Sequence, residues 1–200
     1  MKIIDWSFEE RIWKQKRNPA GIDEAGRGPI AGPVVAAAVI LNENKKIGGI
    51  NDSKQLTDKK RRALYKIIRE NSLSHSVGIV DPDEIDRINI LRAAIKAMKL
   101  AVEGLKVKPD FLYIDGNMNV PSLIEQEALV KGDTRCYSIA AASIIAKVTR
   151  DIIMEDLHEL YPQYNFRKHK GYPTKEHYNA IRKFGPSPVH RRTFRGVING

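Results

Sequence analysis

The fold of this chain is decided by the stretch Gly21-Ile22-Asp23-Glu24-Ala25-Gly26-Arg27-Gly28. Its first residues are typical of the end of a buried β-strand, and the glycines that follow are typical of a turn. Asp115 and Asp133 each follow another short apolar stretch in the same way. Ligands of open α/β sheets collect where strands end. The four carboxylates are therefore candidates for a divalent-metal site.

The rest of the chain alternates between strand and helix signals, which is an α/β layout. The predicted elements are a strand ending at Asp23, strands over Val34 to Leu41 and His75 to Val80, helices capped by Thr57 and Asp81, strands over Phe111 to Asp115 and Ala128 to Val130, and helices from Ile139 to Leu160 and Lys175 to Lys183. One face of the helix after Asp81 is expected to carry Ile85, Ile88, Leu91, Ile95 and Met98. The helix capped by Thr57 is expected to carry Leu64, Ile67 and Ile68 at helical spacing.

The charge balance indicates a polyanionic partner. The chain has 34 Lys and Arg against 24 Asp and Glu, a formal charge of +10 and a pI near 9.7. A compact acidic cluster in an otherwise basic protein suggests a site where metal ions are held against the phosphates of the partner. For the run Asp58 to Arg62 alone, simple solvation of a helix face is the favoured interpretation.

Length and composition favour a single domain over residues 1–200, with a core over about 1–160 and a basic C-terminal lobe over about 161–200. The longest apolar run, Val34 to Leu41, is far shorter than the roughly 20 residues that span a bilayer. No leader pattern precedes the domain, so a cytoplasmic location is expected. The single Cys136 excludes an internal disulfide and is expected to be a small buried residue.

Several stretches in a fixed order resemble bacterial and archaeal ribonuclease HII. They are Gly21 to Gly28 with Gly32-Pro33, Asp52 to Leu56, Asp115-Gly116, Lys131 to Asp133, Ala141 to Val148 with Arg150-Asp151, His169 to Tyr172, and His190-Arg191. Each stretch alone is weak, but the set extends from about residue 20 to 195 and is strongly specific.

The resemblance implies an RNase H-like fold, in which a central mixed five-stranded sheet is flanked by helices and followed by a basic helical lobe. It implies a four-carboxylate site of Asp23, Glu24, Asp115 and Asp133 that binds Mg²⁺ or Mn²⁺. The implied activity is hydrolysis of the RNA strand of RNA/DNA hybrids and cleavage 5′ to single ribonucleotides in duplex DNA. The hypothesis is two-metal catalysis, with ions about 3.5–4 Å apart, that leaves 5′-phosphate and 3′-hydroxyl ends and serves ribonucleotide and primer removal.

Asp23 and Glu24 are adjacent, and successive side chains of a strand point to opposite faces. The two carboxylates can converge only if the strand ends or bulges between them, which Gly26 and Gly28 make plausible.

The resemblance also places Gly26-Arg27-Gly28 at the 2′-hydroxyl, the group that separates RNA from DNA. A dinucleotide-binding interpretation of these glycines is rejected, because the spacing is wrong and Pro33 follows instead of a helix. Tyr172 is expected to pack on the sugar after the ribonucleotide; a half-buried structural tyrosine would be the better guess without its flanking motif.

Further candidates for nucleic-acid contacts are Ser53, Lys54, Ser143, Lys147, Lys168, Lys170, Arg191 and Arg192. Each lysine and arginine taken singly is more often only solvated, and Ser143 could be a small residue in a packed helix. His169 could act as an acid or base, but a structural or phosphate-contact role is favoured.

Two rival classes remain open. One is another nuclease or strand-transfer enzyme on the same fold, and the other is a non-catalytic basic nucleic-acid binder. Ribonuclease HIII is disfavoured because only about 20 residues precede the first motif. The expected partners are RNA/DNA hybrids and ribonucleotide-containing DNA, with no membrane. No sliding-clamp docking motif is visible in Arg195 to Gly200, no other protein partner is evident, and a monomer is expected.

Overall fold

The computed structural model describes residues 4–198 and contains the expected central sheet. Its strands are β1 (Pro19–Ala25), β2 (Val34–Ile40), β3 (Ser74–Val80), β4 (Phe111–Asp115) and β5 (Glu125–Leu129). Their order across the sheet is β3-β2-β1-β4-β5. The pairs β3–β2 and β2–β1 are antiparallel, and β1–β4 and β4–β5 are parallel. The prediction of a mixed five-stranded sheet is therefore confirmed.

Helices cover both faces of this sheet. They are α1 (Ser7–Trp13), α2 (Asp58–Asn71), α3 (Pro82–Ile88), α4 (Ile90–Glu103), α5 (Tyr137–Leu160), α6 (Phe166–His169) and α7 (Lys175–Phe184). The side chains of β2 alternate between two cores: Ala36 and Ala38 pack in the core that contains α4 residues, while Ala37 and Val39 pack with α5 residues. Small residues on β2 let both helices approach the sheet closely.

The contact between α5 and β1 depends on a glycine. A Cβ placed on Gly21 would lie 2.0 Å from the backbone carbon of Ser138, inside the closest possible contact. Only glycine allows this approach. As a result, the N-terminal half of α5 lies directly against the strand that carries Asp23.

The predicted helix caps are confirmed, because Thr57 and Asp81 accept hydrogen bonds from the first turns of α2 and α3. The single helix expected after Asp81 is wrong in its continuity. Asn89 has a φ of +68° and separates α3 from α4 while capping the second helix. Leu91 is consequently exposed rather than on the buried face, and Ile67 of α2 is exposed as well.

Two strand boundaries also differ from expectation. The last strand occupies Glu125–Leu129 rather than Ala128 to Val130, because its polar residues pair along β4 at an edge of the sheet and give no apolar signal. The first strand continues through Glu24 to Ala25 instead of ending at Asp23.

The C-terminal segment packs against the rest of the chain through its own apolar cluster. Tyr164, Phe166 and Ile181 lie in one core with Ile30 and Ala31 from the loop after β1. Cys136 is fully buried, as expected. Among the described residues, no helix is both long and apolar enough to cross a bilayer. The predicted C-terminal lobe and the tail searched for a docking motif both extend to residues 199 and 200, which lie outside the described range.

Candidate active site

Three of the four predicted carboxylates meet at one end of the sheet. Asp23 and Asp115 directly follow Ile22 and Ile114, which are partners in the parallel pair β1–β4. Asp133 comes from a 3₁₀ turn, Gly132–Thr134, after β5. Carboxylate oxygens of Asp23, Asp115 and Asp133 lie within 4.8 Å of one another. Parallel strands in register thus bring together residues 92 positions apart in the sequence.

Burial and mutual repulsion make this triad costly without a cation. Asp23 is 7% exposed, and burial together with the charges of Glu24 and Asp115 raises its pKa well above the usual 3.8. Burial and Asp115 also raise the pKa of Asp133. Closely spaced carboxylate oxygens are the donor set that a hard divalent cation prefers. The residues present therefore fit a divalent metal ion.

Lys54 is the ammonium group next to the triad. Its Nζ lies 3.6 Å from Oδ2 of Asp133, and its side chain is otherwise exposed. Burial alone would lower its pKa, but the charges of Asp133 and Asp23 raise it overall. Lys54 therefore stays charged and offsets part of the negative charge at this end of the sheet.

Glu24 does not join the triad in this structure. The expected bulge is absent, because β1 and β2 keep a regular register from Ala20 through Ala25. The Glu24 carboxylate instead accepts a hydrogen bond at 3.2 Å from Arg27. Burial raises its pKa, and Arg27 partly opposes that shift. Its assignment as a metal ligand stays a prediction.

A cleft of about 220 Å³ opens beside the triad. It is lined by Asp23, Glu24, Ala25, Gly26, Arg27, Gly28, Ser53, Lys54, Ser143, Lys147, Arg150 and Tyr172. All but two of these residues, Ala25 and Arg150, were singled out from the sequence as site residues. The convergence of separate sequence motifs in one cleft is the main finding at this site.

Ser143 has an unusual environment in the cleft wall. Its side chain is 4% exposed, and its Oγ has no hydrogen-bond partner among residues 4–198. A buried hydroxyl without a partner is costly. A substrate oxygen in the cleft would remove this cost. By contrast, the Ser53 backbone carbonyl accepts a hydrogen bond from Arg61.

Two buried arginines hold the glycine-rich loop. Arg191 is fully buried and donates to the carbonyl oxygens of Gly26, Arg27, Pro29 and Gly32. Arg150 is 1% exposed and donates to the carbonyls of Ala31, Pro33 and Lys170. The prediction that Arg191 contacts phosphate is wrong, because all of its bonds serve the loop and it does not reach the surface.

Gly26 needs its glycine for two reasons. Its φ is +99°, a conformation that side chains disfavour. A Cβ there would lie 2.2 Å from Nε of Arg150. The loop is thus shaped by its contact with the buried arginines, and Arg27 between the glycines stays exposed.

Three of the other four predicted basic contacts are paired with acidic groups. Lys147 bonds Asp151 at 2.6 Å at the cleft wall. Lys168 and Lys170 lie outside the cleft lining and pair at 2.8 Å with Glu176 and Glu155. Arg192 is exposed on the C-terminal segment. Contacts of these four residues with phosphate stay predictions.

Tyr172 faces the glycine-rich loop across the cleft. Its ring is 45% exposed, and a Cβ on Gly28 would lie 3.6 Å from its Cε1.

His169 is buried; its Nε2 bonds the Tyr164 carbonyl at 2.7 Å, and its Nδ1 accepts from the Gly171 amide. Burial lowers its pKa. The favoured structural role of His169 agrees with these contacts.

Sequence reasoning assigned no role to Arg150 or to Glu9. Glu9 of α1 is fully buried and accepts bonds from the Ser138 amide and hydroxyl at the start of α5. An arginine in an apolar helix and a glutamate in a short amphipathic helix give no local signal, because the Ala31 and Pro33 partners of Arg150 and the Ser138 partner of Glu9 lie more than 100 residues away.

The comparisons with known proteins agree with one another. A family model described as Ribonuclease HII matches residues 20–197. A curated ribonuclease HII from Caldanaerobacter subterraneus subsp. tengcongensis is 52% identical over 189 residues, which cover 94% of this chain and 78% of the relative. The solved ribonuclease H2 of Pyrococcus horikoshii OT3 has a TM-score of 0.75 and 30% identity, covering 90% of this chain and 95% of that chain. A solved complex of PCNA with ribonuclease HII from Archaeoglobus fulgidus matches with a TM-score of 0.77 and 26% identity, covering 89% of this chain and 95% of that chain.

Proposed function

The chain belongs to the ribonuclease HII family and is a ribonuclease H, and from this premise we propose what it cleaves and how. The proposed substrates are the RNA strand of RNA/DNA hybrids and duplex DNA that contains a single ribonucleotide, cut on its 5′ side. The products would carry 5′-phosphate and 3′-hydroxyl ends. Such an activity would serve ribonucleotide removal and primer removal in the compartment that holds the DNA.

One observation carries the proposal: Asp23 of the acidic triad lines the same cleft as the glycine-rich loop and Tyr172. The triad supplies a place for cleavage of a phosphodiester, and the loop and the tyrosine supply contacts that can distinguish sugars. A non-catalytic nucleic-acid binder would gain nothing from three closely spaced carboxylates, two of them buried, since they repel phosphate.

Asp23, Asp115 and Asp133 would hold the divalent metal that the family requires, with Glu24 as the proposed fourth ligand and Mg²⁺ or Mn²⁺ as the proposed ion. When bound, such ions activate water and stabilise the departing 3′ oxygen. Lys54 lies beside Asp133 and is exposed enough to contact the phosphate as well. The chain's own contribution is to hold carboxylates of three segments in one desolvated place.

The glycine-rich loop would read the ribose. Gly26 and Gly28 would let backbone groups approach the sugar closely, and the exposed Arg27, which bonds Glu24 in this structure, would bind phosphate. Ser143 offers its unpartnered hydroxyl from the opposite wall. Tyr172 would pack on the next sugar and favour an RNA-to-DNA junction there.

Replacement of Asp133 by Asn tests the catalytic assignment. We expect loss of cleavage of a labelled duplex with one ribonucleotide in Mg²⁺, with duplex binding largely retained, because the shape and the basic surface are unchanged. Asp156→Asn, an exposed position of α5, is the control and should cleave normally. Retained turnover by Asp133→Asn would refute the assignment, and wild-type binding without cleavage would favour the non-catalytic class.

Replacement of Tyr172 tests substrate choice separately. Tyr172→Ala should lower kcat/KM on the single-ribonucleotide duplex by about tenfold more than on a long hybrid, a difference of about 1.4 kcal/mol. Tyr172→Phe keeps the ring and should keep the preference. An equal loss on both substrates would contradict the role of Tyr172.

A further inference from the structure

Three buried histidines, His169, His177 and His190, lie outside the cleft lining, and the proposed chemistry does not use them. The rings of His169 and His177 are stacked with centroids 4.4 Å apart. Nε2 of His177 lies 2.9 Å from Nε2 of His190. His177 and His190 are 0% and 1% exposed. Two imidazoles that meet through the same type of nitrogen need one proton between them, so their tautomers are constrained.

The backbone fixes where that proton lies. The Ser187 amide N–H points at Nδ1 of His190 at 3.0 Å, so this nitrogen must be an unprotonated acceptor. In a neutral His190 the hydrogen is then on Nε2, which donates to Nε2 of His177. The hydrogen of a neutral His177 must consequently be on Nδ1. There it donates to the backbone carbonyl of Tyr172 at 2.9 Å.

The result is a one-way chain of hydrogen bonds from Ser187 through two neutral rings to Tyr172. Burial lowers the pKa of His177 and of His190 to about 4. The titratable groups that face the pair are His169 of α6 and Tyr164 of the preceding turn, whose ring lies 4.7 Å from that of His190. Protonation of either ring would place two hydrogens between the Nε2 atoms or oppose the Ser187 amide, and the chain would break.

Tyr172 is held through its backbone, while its ring protrudes into the cleft. Its amide donates to the His169 carbonyl at 2.9 Å, and its carbonyl accepts from His177 and from the Thr174 amide. The His177 bond is the contact that joins this carbonyl to α7. Loss of that bond would free the backbone that aims the ring at the glycine-rich loop.

We propose that His177 and His190 are positioning residues for Tyr172, and that their hydrogen-bonded chain sets the preference for duplexes with a single ribonucleotide. The inference rests on the proposed role of Tyr172 as a sugar contact. Neither histidine lines the cleft, so their effect on substrate choice acts through the placement of Tyr172.

A matched pair of substitutions at one position separates this role from simple packing. His177→Asn keeps an N–H donor near the position of Nδ1, while His177→Gln keeps a polar group near Nε2 but removes the donor to Tyr172. The readout is the ratio of kcat/KM on the single-ribonucleotide duplex to kcat/KM on a long hybrid. We expect His177→Gln to lower this ratio about as much as Tyr172→Ala, about tenfold, and His177→Asn to keep it.

The double variant His177→Gln/Tyr172→Ala should have the same kcat/KM ratio as Tyr172→Ala alone, because His177 acts on the ratio only through the position of the Tyr172 ring. A lowered ratio in Tyr172→Ala with an unchanged ratio in His177→Gln would overturn only the histidine chain. An unchanged ratio in Tyr172→Ala would refute the role of Tyr172 and the inference that depends on it. Equal decreases of this ratio in His177→Asn and His177→Gln would mean that His177 acts only through packing, and would overturn the proposal.

Nitrogen-15 NMR of the wild-type protein tests the chain without any variant. At neutral pH we expect His177 as its Nδ1–H tautomer, which free histidine disfavours, and His190 as its Nε2–H tautomer. Neither ring should carry a second proton at pH 6.5, the ordinary midpoint for histidine. An Nε2–H tautomer at His177, or protonation of either ring near pH 6.5, would overturn the proposal.

Discussion

Asp23→Asn should make the metal-free protein more stable while it abolishes cleavage. Asp23 and Asp133 are both buried, but the ion pair of Lys54 is with Asp133 rather than with Asp23. The substitution removes one negative charge and keeps the shape. The Asn Oδ1 can still accept the hydrogen bond that the Glu24 amide gives Asp23 at 2.7 Å.

The size of the gain follows from the spacing of the triad. The carboxylate oxygens lie within 4.8 Å of one another, and two full charges at that limiting separation repel by about 3.5 kcal/mol at an effective dielectric constant of about 20. Asp23 faces two such partners, but its raised pKa means that partial protonation already relieves much of this repulsion. We therefore expect a net gain of about 2 kcal/mol near neutral pH, which is about 4–8 °C in Tm for a chain of this length.

The pH dependence has a defined sign. The folded state holds a proton on Asp23 more tightly than the unfolded state, whose pKa is near 3.8. Wild-type stability therefore falls as pH rises from about 4 through the folded pKa. Asp23→Asn lacks this loss, so the difference between the two proteins should grow with pH.

Thermal unfolding in EDTA from pH 5 to 8 measures the effect, with Asp156→Asn as the exposed control. Mg²⁺ should then stabilise the wild type and do much less for Asp23→Asn, because the ligand set is broken. A variant that is no more stable than the wild type at any of these pH values would refute the electrostatic reasoning. So would a gain of equal size in Asp156→Asn.

Two further predictions concern the parts that hold the cleft. Arg191→Met should lower the free energy of unfolding in urea by about 3–5 kcal/mol, because four carbonyls lose their donor. The exposed control Arg192→Met should change it by no more than about 0.5 kcal/mol. A loss below about 1 kcal/mol at Arg191 would contradict the prediction. Stability should also fall in mild acid, since His177 and His190 have pKa values of about 4 when folded against 6.5 when unfolded. The loss begins below pH 6.5 and reaches about 2 kcal/mol per histidine at pH 5, and an unfolding free energy that is flat between pH 7.5 and 5 would contradict it.

The sequence was sufficient for the four central strands' positions and for all residues that line the cleft except Ala25 and Arg150. Buried strands and capped helices leave local signals, as at Val34 to Leu41 and at Thr57, and the central elements were found where these signals are strong. The polar edge strand β5 and the break at Asn89 were misplaced. Pairing along an edge and a single left-handed residue leave no periodicity to detect.

The site was harder to predict where partners are distant in sequence. Arg191 looked like a surface cation, since most arginines are, yet it bonds the loop at Gly26, 165 residues away. The His177–His190 chain was missed for another reason: its residues are only 13 positions apart, but the sequence does not show which ring nitrogens meet in the folded protein. For Glu24 the alternation rule was correct: the strand neither ends nor bulges between Asp23 and Glu24, the two carboxylates do not converge, and Arg27 bonds the Glu24 carboxylate.

The triad is also oriented by the backbone, which explains how acidic residues from three segments can share one place. Oδ1 of Asp23 accepts from the Glu24 amide, and Oδ1 of Asp115 accepts from the Gly132 amide at 2.7 Å. Asp23 and Asp115 therefore each have one oxygen fixed by a peptide N–H and a second oxygen available to a cation. Because Gly132 directly precedes Asp133, the bond to Asp115 also fixes the turn that carries Asp133. The ligand geometry thus depends on the β1–β4 register and on one turn more than on side-chain packing.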